Sequence, residues 1–545
     1  MPRQPHDSLT TAEKALHDQT NLLPSRQLIF CLCILSLGQL ISFIDQNGIS
    51  TALPTIAADL DAGDTISWAG TASLLANTTC QMLYGRASDI FGRKTVLISA
   101  VLLLALGDLV CGLSTSAAMF YVFRGVAGIG SGGITNLTMI ILSDVVTLEQ
   151  RGKYQGIVGS MIGLGSVTGP FFSAAFVSRA TWRGFFWMLA PLGALNALLA
   201  FFYLPSKPPK TTFKVGVRNI DYLGALTSSI ASILLLIPIS GGGSYFSWYS
   251  PLVISMLVIG TVALVIFLIS QWKLSKLPMM PIDMYRTPAI ALLLVQTFLL
   301  GAVYQTMVYY IPLYLLNAHR LSVFASAAIF ASLAGIQAVM SAGSGFFISH
   351  FKKYGIVIRF GFAMWTLGAG LSLIFNRQTS PGVLVICLLI IGIGVGCVFQ
   401  PTLVALQSHS VKERRAVIIS ARNFNRSAGG ACGLAISAAT LQARLRASLP
   451  PNLLYLAKSS YALPNLKGGV PTAVLDAYMS ASHMVFIVQV PLIAVCFLGS
   501  ILLRDRGLIP VGTQAVQTSP LTDRGDQREV HPGAVEGQEM KKEDS

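Results

Sequence analysis

The sequence predicts an all-α membrane protein with about fourteen transmembrane helices. Of its 545 residues, 53% are hydrophobic and only 11% are charged, whereas about a quarter of the residues are charged in typical soluble domains. The apolar residues also come in runs near the length of about 20 residues that crosses a bilayer as a helix. The eight cysteines lie in or beside these runs without the spacing of zinc ligands, which predicts neither a disulfide framework nor a metal site.

Hydropathy places the spans and suggests how they are grouped. The predicted spans are approximately 27–49, 67–88, 95–113, 117–142, 154–178, 183–204, 221–240, 250–272, 289–313, 322–349, 355–375, 381–407, 416–441 and 483–503. Their spacing favours a 6+2+6 arrangement, because short basic turns, "GRASDIFGRK" and "GFFISHFKKYG", recur after spans two and ten. The predicted segments are an N-terminal tail (1–26), a first bundle (27–204), a linker with two extra helices (205–275), a second bundle (276–507) with a long extracellular loop (442–481), and a disordered tail (508–545).

The distribution of Lys and Arg predicts the orientation of the chain. Cations concentrate in the loops that follow even-numbered spans, whereas the first loop on the other side, "TALPTIAADLDAGDTIS", holds three aspartates and no Lys or Arg. The positive-inside rule then places both termini in the cytoplasm. The net charge of +15 is spread over short loops and is not gathered on one soluble face, so no nucleic-acid partner is predicted.

Motifs of nucleotide-dependent and hydrolytic enzymes are not supported. The stretch "GIGSGG" formally fits the dinucleotide-binding pattern, but it lies inside a long apolar span with no strand before it. The sequence contains no Walker A, HExxH or GxSxG motif. We therefore expect no enzyme activity, no cofactor, and an ion gradient in place of ATP as the energy source.

Several motifs together carry a family resemblance. The turn "GRASDIFGRK" supplies Gly85, Asp89, Gly92, Arg93 and Lys94, and further matches lie in spans one, four, five, six, nine and thirteen: "FIDQNGISTALP", "RGVAGIGSGG", "GLGSVTGP", "TWRGFFWMLAPLG", "YYIPLY" and "FNRSAGGACGLAIS". In these motifs the chain resembles the major facilitator superfamily, specifically its fourteen-span drug:proton antiporter branch of the fungal efflux-pump type. The resemblance implies the major facilitator fold.

The resemblance also implies a function. It suggests a monomeric, proton-driven efflux pump in the lipid bilayer that exports an amphipathic organic compound, such as a secondary metabolite, toxin or drug, by alternating access and so confers multidrug resistance. The plasma membrane is the expected location, with a vacuolar or vesicle membrane as the alternative. Two other functions stay open: a vacuolar importer of basic amino acids or other small molecules, and a non-transporting sensor or scaffold of the same fold.

Three charged residues inside the first bundle are predicted to couple transport to protons. Asp45 follows an apolar run in span one, Asp108 lies in span three, and Arg124 lies in span four. Charged groups within a membrane are costly and mark function by default. Counting along the predicted spans puts Asp45 about 6 Å and Arg124 about 10 Å from the outer helix ends. One guanidinium neutralises only one carboxylate, so the second carboxyl group is expected to take up and release a proton. We expect Asp45 to be the proton carrier or a cavity carboxylate, Arg124 its electrostatic partner and Asp108 a third member. The alternative is that Asp45 caps a helix end or holds Arg124 in a static ion pair.

The remaining candidate residues fall into two sets. The gating set is predicted to latch the cytoplasmic end and to let helices slide, and it comprises Gly85, Asp89, Gly92, Arg93, Lys94, Asp144, Gly165, Gly169 and Pro170. The substrate cavity is predicted to be lined by Gln81, Gln296, Gln305, Tyr309, Tyr310, Gln400, Arg422 and Arg426. Arg422 and Arg426 lie four residues apart and so share a helix face, from which they can attract an anionic group or reach toward the interface. Glycosylation sequons at Asn77, Asn136 and Asn425 fall within spans and are expected to be unused.

Overall fold

The structure is a computed structural model that describes residues 21–62, 65–66, 68–205, 220–241, 248–450 and 471–508. The predicted tails therefore lie largely outside the described residues, as do 206–219 of the linker, 242–247 after span seven and 451–470 of the long loop. The long helices are α1 (Ser25–Asp59), α2 (Trp68–Phe91), α3 (Arg93–Gly112), α4 (Ala117–Val145), α5 (Leu148–Arg179), α6 (Trp182–Tyr203), α7 (Tyr222–Gly241), α8 (Pro251–Ile269), α9 (Pro288–Asn317), α10 (Val323–Phe351), α11 (Gly355–Leu371), α12 (Pro381–Ser408), α13 (Arg415–Ser448) and α14 (Thr472–Leu502).

The prediction of an all-α membrane protein is confirmed. Across the described ranges the regular structure is helical, and twelve helices are long and apolar enough to cross a membrane. The other two long helices, α2 and α13, reach spanning length but are more polar in sequence. These two helices pack against each other across the centre of the molecule, which is where polar side chains can avoid lipid.

Two helix boundaries depart clearly from the prediction. Helix α14 begins at Thr472, eleven residues before the expected start at 483, and α1 continues ten residues beyond the expected end at residue 49. Hydropathy falls there, but Asn47 donates hydrogen bonds to the carbonyl of Phe43 at 3.0 Å and to Ser166 Oγ at 3.3 Å, so this polar side chain has partners on the helix surface. Pro54 lies within the helix without ending it. Asp45 consequently lies about 21 Å from the helix end at 1.5 Å per residue, and the predicted 6 Å is wrong.

The helices form two six-helix groups with a pair beside them. Helices α1 to α6 pack with one another, as do α9 to α14, while α7 packs on α8 and contacts α2 and α13. At the start of α7, Asp221 accepts a hydrogen bond from Gln271 Nε2 at 2.6 Å, and Gln271 Oε1 accepts from the backbone N–H of Met280 at 3.0 Å. Two residues earlier, the carbonyl of Pro278 accepts from Arg86 Nε of α2 at 2.8 Å. The extra helix pair is thereby tied to the first bundle.

Glycines allow α5 to lie close to both bundles. A Cβ at Gly165 would lie 2.8 Å from Phe43 Cβ of α1, and a Cβ at Gly163 would lie 2.7 Å from Ala338 Cβ of α10. Real Cβ atoms do not approach so closely, so the backbones are in contact only because side chains are absent. Helix α5 also continues through Pro170 to Arg179. On the side of α5 that faces α10 of the second bundle, glycines therefore leave a helix surface without projecting side chains.

The bundles are in contact at the end that carries the α2–α3, α4–α5 and α10–α11 turns, which we call the basic end. There the backbone N–H of Lys153 donates to Ser349 Oγ at 2.9 Å, and Gln155 Nε2 donates to Gln407 Oε1 at 3.1 Å. Lys352 pairs with Glu149 across the same boundary. These polar contacts join α5 to α10 and α12, so the basic end is closed in this structure.

A short segment after α14 closes over the same end. The Asp505 carboxylate accepts a hydrogen bond from the backbone N–H of Gly355 at 2.8 Å, and the backbone N–H of Arg506 donates to the Tyr354 hydroxyl at 3.1 Å. Leu503 and Leu508 are buried. Residues 503–508 therefore belong to the folded body of the second bundle.

The glycine contacts lead to a stability prediction. Gly165→Ala should lower the free energy of unfolding by about 1–3 kcal/mol, because the new methyl group meets Phe43 Cβ and the Leu40 carbonyl and α1 must move away. The measurement is thermal unfolding of the purified protein in detergent.

The matched control is Gly343→Ala on α10, where a Cβ would meet nothing within 4 Å. There we expect no loss, and a gain of up to about 1 kcal/mol from the higher helix propensity of alanine. Equal melting temperatures for the two variants would contradict the close α1–α5 packing.

Candidate functional site

Three buried charges from three helices lie together in the first bundle. Arg124 Nη1 of α4 lies 2.5 Å from Asp45 Oδ1 of α1 and 3.8 Å from Asp108 Oδ1 of α3. Both carboxylates have no solvent exposure and the arginine is 1% exposed. The structure thus brings together the three residues nominated for proton coupling, while their role in coupling stays a prediction.

Small residues and an aromatic ring position this cluster. A Cβ at Gly107 would lie 2.7 Å from the backbone nitrogen of Ala127, so α3 and α4 are in direct contact next to Asp108 and Arg124. The Arg124 guanidinium also lies over the ring of Phe186 at 5.9 Å, where the negative face of the ring favours a cation. The cluster is therefore enclosed by packed helices.

The charges in the cluster do not balance. Two carboxyl groups share one guanidinium, and neither oxygen of Asp108 nor Asp45 Oδ2 has a hydrogen-bond partner among the described residues. A second buried carboxylate without a counter-charge is costly in a dry environment. The arrangement can therefore hold one proton, and Asp108 is the carboxyl group with the weaker contact to Arg124.

A second ionic network lies at the basic end. Arg93 contacts Asp89 Oδ1 through Nη2 at 2.7 Å and Asp144 Oδ2 through Nε at 2.9 Å, and Arg415 of α13 lies 3.9 Å from Asp144 Oδ1. The network thus spans both bundles. Gly92, with φ of 91°, precedes α3 in a conformation that favours glycine.

Other residues of the gating set pack around this network. A Cβ at Gly85 of α2 would lie 3.2 Å from the Ala416 carbonyl of α13, and Lys94 Nζ lies 5.6 Å from the ring centre of Phe201. On α5, a Cβ at Gly169 would lie 2.7 Å from the Ile44 carbonyl, next to Pro170. The latch and sliding roles of the set remain predictions.

Two arginines of α13 lack an acidic partner. Arg422 is 5% exposed and donates to Asn423 Oδ1 at 3.1 Å and to the Phe399 carbonyl at 2.6 Å. Arg426 lies over the Phe399 ring at 5.8 Å. Neither guanidinium has a carboxylate within ion-pair distance in the described part of the chain, and the Nε atoms of both are buried without a hydrogen-bond partner. Their face of the interior is therefore electropositive.

The other nominated cavity residues lie in different surroundings. Gln296 donates to the Cys496 carbonyl of α14 at 2.9 Å, which is a hydrogen bond within the second bundle. Tyr309 is 39% exposed while the neighbouring Tyr310 is buried. Gln81 is buried and donates through Nε2 to Asn77 Oδ1 at 2.6 Å. A Cβ added at Gly430 would lie 3.2 Å from the Cβ of Gln305, and the buried Gln400 has no hydrogen-bond partner for its Oε1 among the described residues.

A chain of amide side chains crosses between the bundles, and sequence reasoning missed most of it. Asn136 of α4 donates to the Gln81 carbonyl at 2.6 Å and to Ser420 Oγ of α13 at 2.7 Å. Asn423 Nδ2 donates to Asn136 Oδ1 at 3.1 Å. The signal in the sequence is an asparagine in the middle of an apolar span, and from the sequence alone we interpret it only as an unused glycosylation sequon.

Comparison with known proteins identifies the family. The family described as Major Facilitator Superfamily matches residues 35–434, which is most of the chain. The chain belongs to the Major Facilitator Superfamily. It is therefore a multi-pass membrane transporter and not an enzyme, as the sequence motifs implied.

Two curated relatives of this Major Facilitator Superfamily member come from fungi. "Citrate exporter 1" of Yarrowia lipolytica is 46% identical over 517 residues, which cover 93% of this chain and 77% of that protein. "MFS-type transporter clz4" of Cochliobolus lunatus is 42% identical over 499 residues, covering 91% and 90%. The crystal structure of the human organic anion transporter MFSD10 (TETRAN) has a TM-score of 0.59 at 15% identity and covers 88% of this chain and 100% of that chain, so it supports the fold alone.

The unbalanced cluster leads to a prediction on stability. Asp108→Asn should leave the melting temperature unchanged or raise it, because the substitution removes the surplus buried negative charge. Asp45→Asn should lower the free energy of unfolding by about 1.5–3 kcal/mol, the usual worth of a hydrogen bond to a charged group, because it weakens the 2.5 Å contact to Arg124.

Both variants are compared with the parent protein by thermal unfolding in the same detergent at neutral pH. The two substitutions are chemically identical and matched in burial, so they serve as controls for each other. A larger loss in Asp108→Asn than in Asp45→Asn would contradict the assignment of Asp108 as the surplus charge.

Proposed function

We propose that this transporter is a proton-coupled exporter of an organic anion. The observation that carries the proposal is the pair of guanidinium groups of Arg422, which is buried, and Arg426, which is half-buried, without an acidic partner in the described part of the chain. Intramembrane arginines normally pair with a counter-charge. Since the described residues offer none at this place, an anion from solution is the partner that fits.

The chemistry of the pair favours a carboxylate. A guanidinium presents parallel N–H donors that match the two oxygens of a carboxylate, and such bidentate pairs are stronger than neutral hydrogen bonds. The rings of Tyr304 and Phe399 lie 4.8 Å apart beside Arg426 and form an apolar wall. A substrate with an anionic group and an organic body therefore suits the site better than a basic amino acid, which two arginines would repel.

The charge cluster of the first bundle supplies the proposed coupling. Asp45, Asp108 and Arg124 can bind one proton, and they lie on α1, α3 and α4, close to the helices that meet the second bundle. Uptake of a proton from outside and its release inside would drive the anion outward. The direction of export agrees with the name of the relative from Yarrowia lipolytica.

The location follows from the same reasoning. The basic end faces the cytoplasm by the positive-inside rule, and a closed basic end then corresponds to a state from which substrate leaves to the outside. An exporter of this kind would act in the plasma membrane. Action on an amphipathic metabolite is the alternative, favoured by the apolar wall around Phe399.

Proton coupling is tested with the full-length protein in liposomes. Radiolabelled citrate should accumulate in vesicles whose lumen is acidified, because protons leaving the lumen drive the anion inward. Asp108→Asn should abolish this accumulation but retain exchange of external for internal citrate, since exchange needs no net proton release. Accumulation by Asp108→Asn at the parent rate would contradict the proton role.

The anion site is tested through the arginines. Arg422→Gln and Arg426→Gln should each raise the KM for citrate about ten- to a hundredfold, the equivalent of a lost hydrogen bond to a charged group. Arg359→Gln, which removes an exposed arginine of α11, is the control and should leave KM unchanged. An unchanged KM in both site variants would overturn the assignment of the anion site.

A further inference from the structure

The amide pair Asn136–Asn423 is the junction at which the first bundle reaches the candidate anion site. Asn136 Nδ2 has two acceptors, one on α2 and one on α13, and its Oδ1 accepts from Asn423. Asn423 Oδ1 in turn accepts from Arg422 Nη1. A side chain of one bundle thereby controls the orientation of a group that contacts the arginine of the other.

Both amide side chains of this junction are buried and hydrogen-bonded. Asn136 has no solvent exposure and Asn423 has 1%, and each uses its donor and acceptor groups in the contacts described. Ser427 of α13 adds a hydrogen bond to Gln81 Oε1 at 3.3 Å beside them. The bonds of Asn136 with Ser420 and Asn423, and that of Ser427 with Gln81, join the first bundle to α13. These three contacts therefore exist only while α2 and α4 are in contact with α13.

The same contacts engage both terminal nitrogens of Arg422. In this closed state one N–H of Nη1 is bound to Asn423 Oδ1 and one N–H of Nη2 to the Phe399 carbonyl. A carboxylate that binds both terminal nitrogens in this state must share them with these two acceptors. When α4 moves away from α13, the carboxamide of Asn423 loses its anchor, turns freely, and leaves Nη1 to the substrate.

We propose that Asn136 is a positioning residue for substrate release: on closure of the basic end it fixes Asn423 against Arg422, and this lowers the affinity of the anion site. The inference rests on the proposed function, since it requires an anion at Arg422. An exporter must bind its substrate more weakly in the outward-facing state than in the inward-facing state. In this proposal the neutral hydrogen bond between Asn423 and Asn136 produces that change in affinity for the anion.

The experiment measures citrate binding to the full-length protein held in the closed state. A disulfide between Lys153→Cys and Ser349→Cys, positions in backbone-to-side-chain contact at the basic end, fixes that state. In this background Asn136→Ala should bind radiolabelled citrate about three- to tenfold more tightly than the unsubstituted locked protein, because a competing hydrogen bond to a charged group is weakened.

Transport by the unlocked protein gives a second measurement. Asn136→Ala should lower both KM and the maximal rate of citrate export, since substrate that binds more tightly in the closed state leaves more slowly. A merely structural defect would lower the rate without lowering KM. Asn423→Ala removes the same contact from the other bundle, and the double variant should equal either single variant in KM.

The control is Asn196→Ala, a buried amide of the first bundle that packs against Gly38 and does not reach α13. It should change neither citrate affinity nor KM. If locked Asn136→Ala binds citrate no more tightly than its parent, or if Asn196→Ala has the same effect, the inference is wrong while the proposed function stands. If the unlocked parent does not bind citrate and Arg426→Gln leaves the KM for citrate unchanged, the proposed function and this inference are both wrong.

Discussion

The guanidinium of Arg124 is the constraint on which the first bundle depends. It joins α1, α3 and α4 at one point, and the carboxylates that surround it have no other strong donor in the described part of the chain. The contact of α3 with α4 through Gly107 places the charges within reach of one another. The bundle can therefore move as a unit, because separating these helices would expose unpaired charges to a dry interior.

The boundary between the bundles is built differently from the bundles themselves. Along α5 it consists of glycines facing α10, which offer little resistance to sliding. At the centre it consists of neutral amides, and at the basic end of hydrogen bonds and ion pairs that are partly exposed. Contacts of these kinds can be broken and remade at modest cost, unlike the buried ion pair of Arg124.

Hydropathy was sufficient to locate the long helices, because burial in lipid demands apolar residues over a fixed length. It failed at the end of α1, where Asn47 and Asp59 find partners on α5 and α6 that no local pattern reveals. The pairing of Asp45 with Arg124 could be anticipated, since a charge within a membrane requires a counter-charge.

The amide junction could not be anticipated in the same way. An asparagine such as Asn136 is compatible with many neighbours, and only the packing of α4 against α13 decides that Asn423 is its partner. Gln296 illustrates the converse case: its sequence context resembled that of a cavity residue, yet its amide faces the backbone of α14. Side-chain direction around a uniformly apolar helix is set by packing and carries little sequence signal.

The short segment after α14 has a practical consequence for work with the protein. Because Asp505 caps the start of α11 and Leu508 is buried against the second bundle, a purification tag or fluorescent fusion joined at residue 503 would displace folded residues. Fusions that begin after Leu508 keep these contacts, because the reporter is then attached beyond the last residue that packs on the second bundle.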